Sequence, residues 1–460
     1  MTSGPARFAR MLMLALVLSL ALVRPAYAED AGLLRDTETE ALFRDLSKPL
    51  IEAAGLDPQS AKVVLLGDPA INAFVDRGQV VYLQSGLILA ADDVGQVQGV
   101  VAHELGHVAG GHSIRIQDGA REATGMTIAT MILGALAIAA GAGAAGMGII
   151  AAGQQAAIGK FLAFTRTQES SADQAAASYL SKAGLSGKGM LAFFGKLQNQ
   201  EYRLAIYAKD SYDRTHPLSS ERIAALQQAF SGDAAWDKPL DPALEVRFER
   251  VKAKLYGFSD PKQAVIKYPE SDHSIAGHYA RAYAYHVGGY ADKALAETAS
   301  LLAAVPGDPY FLELNGQILL ENGKPAEAIE PLRAAVKASG DAPLISAMLG
   351  HALVATEDYK NFAEAKAVLK SAVNRDNQDP FAWYQLGIVY DREGDVARAQ
   401  LATAERSNLE SKPKLALASA ELAMRGIPAN SPDWLRAQDI ALVSKAELKK
   451  RKKSGKDEEE

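Results

Sequence analysis

The sequence predicts a mainly α protein: an α+β domain with a small β-sheet, followed by an α-solenoid of repeated helical hairpins. Three observations carry this. A β-rich run, Gln79-Val80-Val81-Tyr82-Leu83-Gln84, is bounded by Gly78 and Gly86 and reads as a strand between turns. Apolar residues elsewhere recur mostly at helical spacing. Glycines and prolines in the second half recur at an interval of 34 residues, then 37 from Gly350 to Gly387.

With 460 residues the chain is too long for one core. The expected divisions are an export signal over 1–28, an α+β domain over 29–235 with an apolar hairpin at 123–159, a helical-repeat domain over 236–427, and a C-terminal helix with a charged, disordered tail over 428–460. The net charge of −6 leaves no basic excess, so nucleic acid is not an expected partner. Cysteine is absent, so any metal must be held by His, Asp or Glu.

At the N-terminus, Arg7 and Arg10 precede an apolar run from Met11 to Val23, and Ala26-Tyr27-Ala28 has the small-x-small form of a cleavage site. The run is shorter than the roughly 20 residues of a spanning helix, so a cleaved leader and a mature chain from Glu29 are expected. A periplasmic location follows from that expectation.

Asp93 is placed to cap the next helix, with Gln96 in capping-box position and Val97, Val100, Val101, Leu105 and Val108 on the buried side. The strand before it could offer unpaired backbone groups to an extended peptide. Between Glu122 and Lys160 no residue is charged. This segment reads as a helical hairpin that either touches a membrane or covers the active site. Its Ala and Gly content supplies little transfer energy, which favours the cover.

In the repeat region, Pro309 and Pro343 stand 34 residues apart, as do Gly316 and Gly350. Trp383, Leu386, Gly387 and Tyr390 then fall in the W-x2-L-G-x2-Y pattern of tetratricopeptide repeats, with Gly394 at the turn and Ala399 at the small position of the second helix. Turns at Gly288-Gly289-Tyr290 and Asn322-Gly323 bring the count to about four hairpins. Such stacks present a concave surface suited to proteins or peptides, the alternative being a plain spacer. The block from Lys449 through Lys453 to Glu458-Glu459-Glu460 cannot bury apolar area and is expected to be disordered.

The residues with chemistry lie on the capped helix. His103-Glu104-Leu105-Gly106-His107 is an H-E-x-x-H, and i, i+4 spacing puts both imidazoles on one face, where they can grip one zinc. Glu104 projects beside them and could take a proton from water. Gly106 leaves room for another backbone to pass. A catalytic zinc wants a third protein ligand. His112 is one residue short of the third histidine of H-E-x-x-H-x-x-G-x-x-H, which would fall on Ser113, so it is expected to be solvated or to support a ligand. In Arg166-Thr167-Gln168-Glu169-Ser170-Ser171-Ala172-Asp173, Glu169 could ligate and Asp173 could fix a histidine tautomer. The same residues also suit an exposed acidic helix with an Arg166 to Glu169 pair.

HELGH, then R-x-x-E-x-x-A-D as Arg166, Glu169, Ala172 and Asp173, then H-P-x4-R as His216, Pro217 and Arg222, and upstream Asn72-Ala73-Phe74, resemble the zinc endopeptidases that include HtpX and the CAAX prenyl endopeptidase. The exported form with C-terminal repeats resembles the BepA-type periplasmic proteases over nearly all of the mature chain. The resemblance implies one Zn2+ per chain held by His103, His107 and Glu169, with Glu104 as base and Asp173 and Arg222 in support. It brings His216 to the active site, as an oxyanion donor or at the open position of the zinc. It further implies cleavage of misfolded or stalled proteins in outer-membrane protein quality control, the repeats docking substrate or assembly machinery. Two other readings remain: a repeat-based chaperone or scaffold with little proteolysis, and a membrane-embedded peptidase.

Overall fold

The computed structural model describes residues 32–76, 78–140, 142–204, 216 and 219–454. The expected leader, Gly141, Pro217 and the acidic end at Glu458-Glu459-Glu460 lie outside the described residues.

The N-terminal half opens with strand β1 (Leu33–Leu34), helix α1 (Thr37–Ala53), strands β2 (Lys62–Leu66), β3 (Ala73–Val75) and β4 (Val80–Gln84), and helices α2 (Ser85–Ala90) and α3 (Val94–Gly110). The β-rich run is β4, as its alternation requires. The sheet order is β1-β2-β4-β3, with β4 parallel to β2 and antiparallel to β3. Both edges of β4 are therefore paired, which corrects the expectation that it offers free backbone to a peptide. The Phe74 and Tyr82 rings, facing one another across the β3–β4 ladder, stack at 5.1 Å and help hold β3 in that place. The exposed edge on this side belongs to β3.

Asp93 caps α3, its carboxylate accepting from the Gln96 amide at 2.9 Å. The Gln96 side chain reaches back to the Asp92 amide rather than to the cap residue's own. Gly111, at φ +61, ends α3 in the left-handed conformation that an L side chain avoids. The chain turns there into α4 (His112–Ala139) and returns along α5 (Gly143–Ala183). These two helices pack along one another through glycine, while their large aliphatic residues stay exposed. The apolar segment is thus a projecting hairpin and not a cover over the active site: small residues occupy much of its seam, and among the described residues most of its bulky side chains are exposed.

Helices α6 (Lys188–Leu204), α7 (Ser220–Phe230) and α8 (Pro242–Ser259) complete the first core. Leu42, Leu46, Val81, Leu83, Val97, Val101, Leu180 and Phe193 meet there at essentially zero exposure. Phe248 and Val251 join them, so α8 packs into this core although it lies beyond the expected boundary at 235/236.

After α9 (Pro261–Lys267), five helical hairpins follow, one more than the turn signals suggested. They are α10 (Ile275–Val287) with α11 (Ala291–Ala304), α12 (Pro309–Glu321) with α13 (Pro325–Ala338), α14 (Pro343–Ala355) with α15 (Tyr359–Arg375), α16 (Pro380–Arg392) with α17 (Val396–Leu409), and α18 (Pro413–Gly426) with α19 (Pro432–Ser454). The recurrent prolines sit in the first turn, where no amide is needed. The recurrent glycines have a packing cause. A Cβ on Gly316 or Gly350 would fall 2.5 or 2.4 Å from the Leu332 or Leu369 side chain of the partner helix. The array returns to the first domain through Arg35, whose Nη2 lies 2.6 Å from Asp376, and through Tyr279, whose hydroxyl donates to Glu38 at 2.9 Å. Residues 449–453, expected to be disordered, are the last turns of α19. Arg451 anchors them by donating to the Ser411 carbonyl at 3.0 Å.

Candidate metal centre

The site is built where α3 and α5 cross. A Cβ on Gly106 would fall 2.8 Å from the Ala172 carbonyl oxygen, so only glycine lets the two backbones approach this closely. That approach brings His103 and His107 on α3 face to face with Glu169 and Asp173 on α5. All four are buried. Arg222, in the first turn of α7, and His216 close the site from the other side.

His103, His107, Glu169 and His216 each offer one donor atom, and these atoms lie within 4.8 Å of one another. The separations are 3.1 Å between His103 Nε2 and His107 Nε2, and 3.3 and 3.4 Å from these to the Glu169 oxygens. His216 Nδ1 lies 3.1 Å from Glu169 and 3.4 Å from His103 Nε2. Donors about 2.0–2.1 Å from one metal ion stand roughly 3.3–3.4 Å apart in a tetrahedral site, and the His103, His107 and Glu169 separations are close to that, so these three could share one ion. Two imidazole nitrogens pointed at each other need a cation or a proton between them. The two rings are shifted oppositely: burial opposes charge on His103, but Asp173 and Glu169 outweigh it and lift the pKa to about 9, whereas burial and the neighbouring His103 and His216 hold His107 well below the usual imidazole range.

Glu104 is fully buried beside this set, and neither of its oxygens has a hydrogen-bond partner among the described residues. Burial pushes its carboxyl up, against the opposing pull of His216 and His103. His216 Nε2 lies 3.6 Å from its Oε1. A carboxylate held this way keeps its lone pairs free for a proton on a reacting molecule.

The supporting residues are equally definite. Asp173 Oδ1 stands 3.0 Å from His103 Nδ1, the far nitrogen of the ring, and so orients Nε2 toward the donor set. Arg222 grips Asp173 with two bonds, 2.7 Å from Nε and 2.8 Å from Nη2, while its Nη1 lies 3.1 Å from Glu169. His112 lies with its Nδ1 2.9 Å from His107 Nδ1, in the supporting place expected of it. Phe194 was not singled out in the sequence. Its ring stands edge-on to His103 at 5.7 Å and 5.8 Å from the Arg222 guanidinium, walling the site from α6. No local signal distinguishes it from Phe193, which is equally buried in the same core. Because the Arg222 fork holds two carboxylates at once, Arg222→Lys should weaken metal binding by about 10- to 100-fold, read by competition against a chromogenic chelator. Unchanged affinity would remove Arg222 from the support.

A helix carrying H-E-x-x-H, its two imidazoles converging with a carboxylate from a second helix, is the site architecture of a metallopeptidase. Residues 37–229 match the family model described as Peptidase family M48, and this part of the chain is an M48 peptidase domain. The chain is 26% identical over 313 residues to the beta-barrel assembly-enhancing protease of Escherichia coli (strain K12), a match covering 66% of this chain and 62% of that protein. It is 30% identical over 181 residues to the metalloprotease LoiP of the same organism, covering 38% and 64%. The chain spans between about half and just under two thirds of the length of the curated relatives it matches. Among solved structures, YrrB, a TPR protein with an unusual peptide-binding site, aligns with a TM-score of 0.31 at 18% identity, covering 38% of this chain and 91% of that one.

Proposed function

We propose that the chain is a zinc-dependent endopeptidase of the bacterial periplasm that cleaves misfolded or stalled proteins during outer-membrane protein quality control. The observation that carries this is the buried donor set of His103, His107 and Glu169 beside the Glu104 carboxylate, which has no partner among the described residues. His103, His107 and Glu169 would hold the zinc, which when bound polarises the scissile carbonyl and acidifies water. Glu104 takes the proton of the attacking water and returns it to the leaving amine. Asp173 keeps His103 in the tautomer with a free Nε2, and Arg222 fixes both carboxylates. The exposed edge of β3, Ala73–Val75, can add an extended peptide as a further strand, which favours chains that can be drawn out straight. The helical repeats would dock substrate or assembly machinery on their concave face. The name of the Escherichia coli relative, and the leader-like N-terminus, support the place of action.

His216 favours a second state of the same protein. Its Nδ1 lies against the same donor set, so it could take the metal's remaining position; the peptidase would then be closed and the chain would act as a repeat-based chaperone or scaffold. His216→Ala should raise casein turnover several-fold with metal content unchanged. A fall of about 10²-fold or more would instead make His216 an oxyanion donor. Casein cleavage abolished by chelation and restored by zinc tests the main reading; cleavage indifferent to chelation would end it.

A further inference from the structure

The hairpin of α4 and α5 is packed inside out. Its seam is made mostly of small and hydroxyl residues, with Ile138 and Ile150 set over the glycines. A Cβ on Gly146 would stand 2.5 Å from the Gly134 carbonyl oxygen, one on Gly134 would stand 2.6 Å from that of Gly146, and one on Gly153 would strike Thr130. Most of the large aliphatic residues point the other way. Ile128, Ile132, Leu133, Leu136, Met147 and Ile158 are 52% to 62% exposed. In water this arrangement forfeits the burial that folds a soluble helix pair. In hydrocarbon it is the favoured one, because helices there associate through close small-residue contacts and turn their bulk to the lipid.

The backbone meets part of the other demand of hydrocarbon, that polar groups be satisfied internally, although no side chain caps the start of α5. At the turn, the Ala140, Ala142 and Gly146 amides bond the Leu136, Ala137 and Ala142 carbonyls at 3.0, 2.9 and 2.9 Å. Thr124 and Thr127 return their hydroxyls to the carbonyls four residues earlier, at 2.8 and 3.0 Å. Charge is confined to the root, where Lys160 pairs with Glu122 at 2.7 Å. Between root and tip, Gln154 and Gln155 mark a polar level. From Gln154 to the start of α5 at Gly143 a helix rises roughly 16–17 Å, about half of a hydrocarbon core that is ~30 Å thick.

We infer that this hairpin is a lipid-inserting element whose tip enters a single leaflet of a bilayer without crossing it. Its stems carry the metal centre: α4 begins at His112, and α5 continues to Glu169 and Asp173. Immersion of the tip therefore holds the site at the membrane surface, where chains stalled during insertion are within reach. This inference does not depend on the peptidase reading, since the hairpin is complete without metal or base.

The test uses the full chain with vesicles of phosphatidylethanolamine and phosphatidylglycerol. Wild-type protein should float with the vesicles. The double change Ile132→Asp with Leu136→Asp, at two exposed positions that no core needs, should cut the vesicle-bound fraction by at least about tenfold. Unchanged circular dichroism and zinc content would show that the variant is folded. In a Leu136→Trp variant, the introduced fluorescence should be quenched by vesicles with brominated acyl chains. Glu104→Gln should float as wild type does, which separates failure of this inference from failure of the peptidase reading. Wild type that stays in the aqueous fraction, Asp variants that float equally, or no quenching would overturn it. So would a wild-type dimer that the Asp changes disperse without any vesicle binding, which would assign the outward face to a second copy.

Discussion

Replacing Glu104 by Gln is expected to lower peptide hydrolysis by about 10²- to 10⁴-fold while the metal content stays at the wild-type level. The amide is nearly isosteric with the carboxylate, so the buried space between the donor set and His216 is still filled. What is lost is basicity. Neither Glu104 oxygen is tied to a protein donor, so the substitution breaks no structural hydrogen bond among the described residues, and its effect falls on proton transfer. Kinetically the loss should appear in kcat with KM little changed, because the residue acts on the reacting proton and not on the bound peptide. The check is casein cleavage beside metal analysis of the same preparation. Full activity with full metal would exclude Glu104 as the base. The same variant separates the two functions: client assembly surviving the loss of hydrolysis would assign assembly to the repeats.

How much of this was legible in sequence depends on how local each signal is. His103, Glu104 and His107 lie within five residues, and helical periodicity alone brings them to one face. Asp93 announced the start of that helix, and the cap is where the spacing put it. Glu169 is 62 residues beyond His107, and its carboxylate is indistinguishable by pattern from one on an exposed acidic helix. Only resemblance raised it above that, and the cause is the Gly106 to Ala172 contact, which no window of sequence displays. The sheet failed for the same reason. Val80–Gln84 has the alternation of a strand, but whether a strand is central or at an edge is decided by partners elsewhere in the chain, here β2 and β3. In the hairpin, composition reported many small residues and few strong hydrophobes, which argued against lipid. It could not report that the glycines face inward and Ile128, Ile132 and Leu136 outward, and that arrangement reverses the inference. The charged run at Lys449 buries no apolar area of its own and so reads as disordered, yet residues 449–453 are helical, carried as the end of a helix whose Ala437, Ile440 and Ala441 are buried against α18.

Removing Glu169 is expected to cost the protein its metal and a measurable part of its stability. The carboxylate is one of the donors, and it alone comes from α5, so a bound ion staples α5 to α3 across a sequence gap of 62 residues. A ligand that binds only the folded state stabilises it by about 2.7 kcal/mol at a hundredfold excess over Kd. For a domain of this size each kcal/mol shifts Tm by about 2–4 °C, so zinc should raise the wild-type Tm by roughly 5–10 °C and a chelator should reverse the shift. Glu169→Ala should show neither response. Glu169→Gln should resemble it in metal loss, yet differ in the unliganded protein. The amide still fills the space beside Arg222 and His216, whereas alanine leaves the Arg222 Nη1 facing a hole. The two variants together therefore distinguish a lost ligand from a lost packing element. Retained stoichiometric zinc in both, with a wild-type thermal response, would show that Glu169 is not a ligand, and the donor set would have to close through His216 instead.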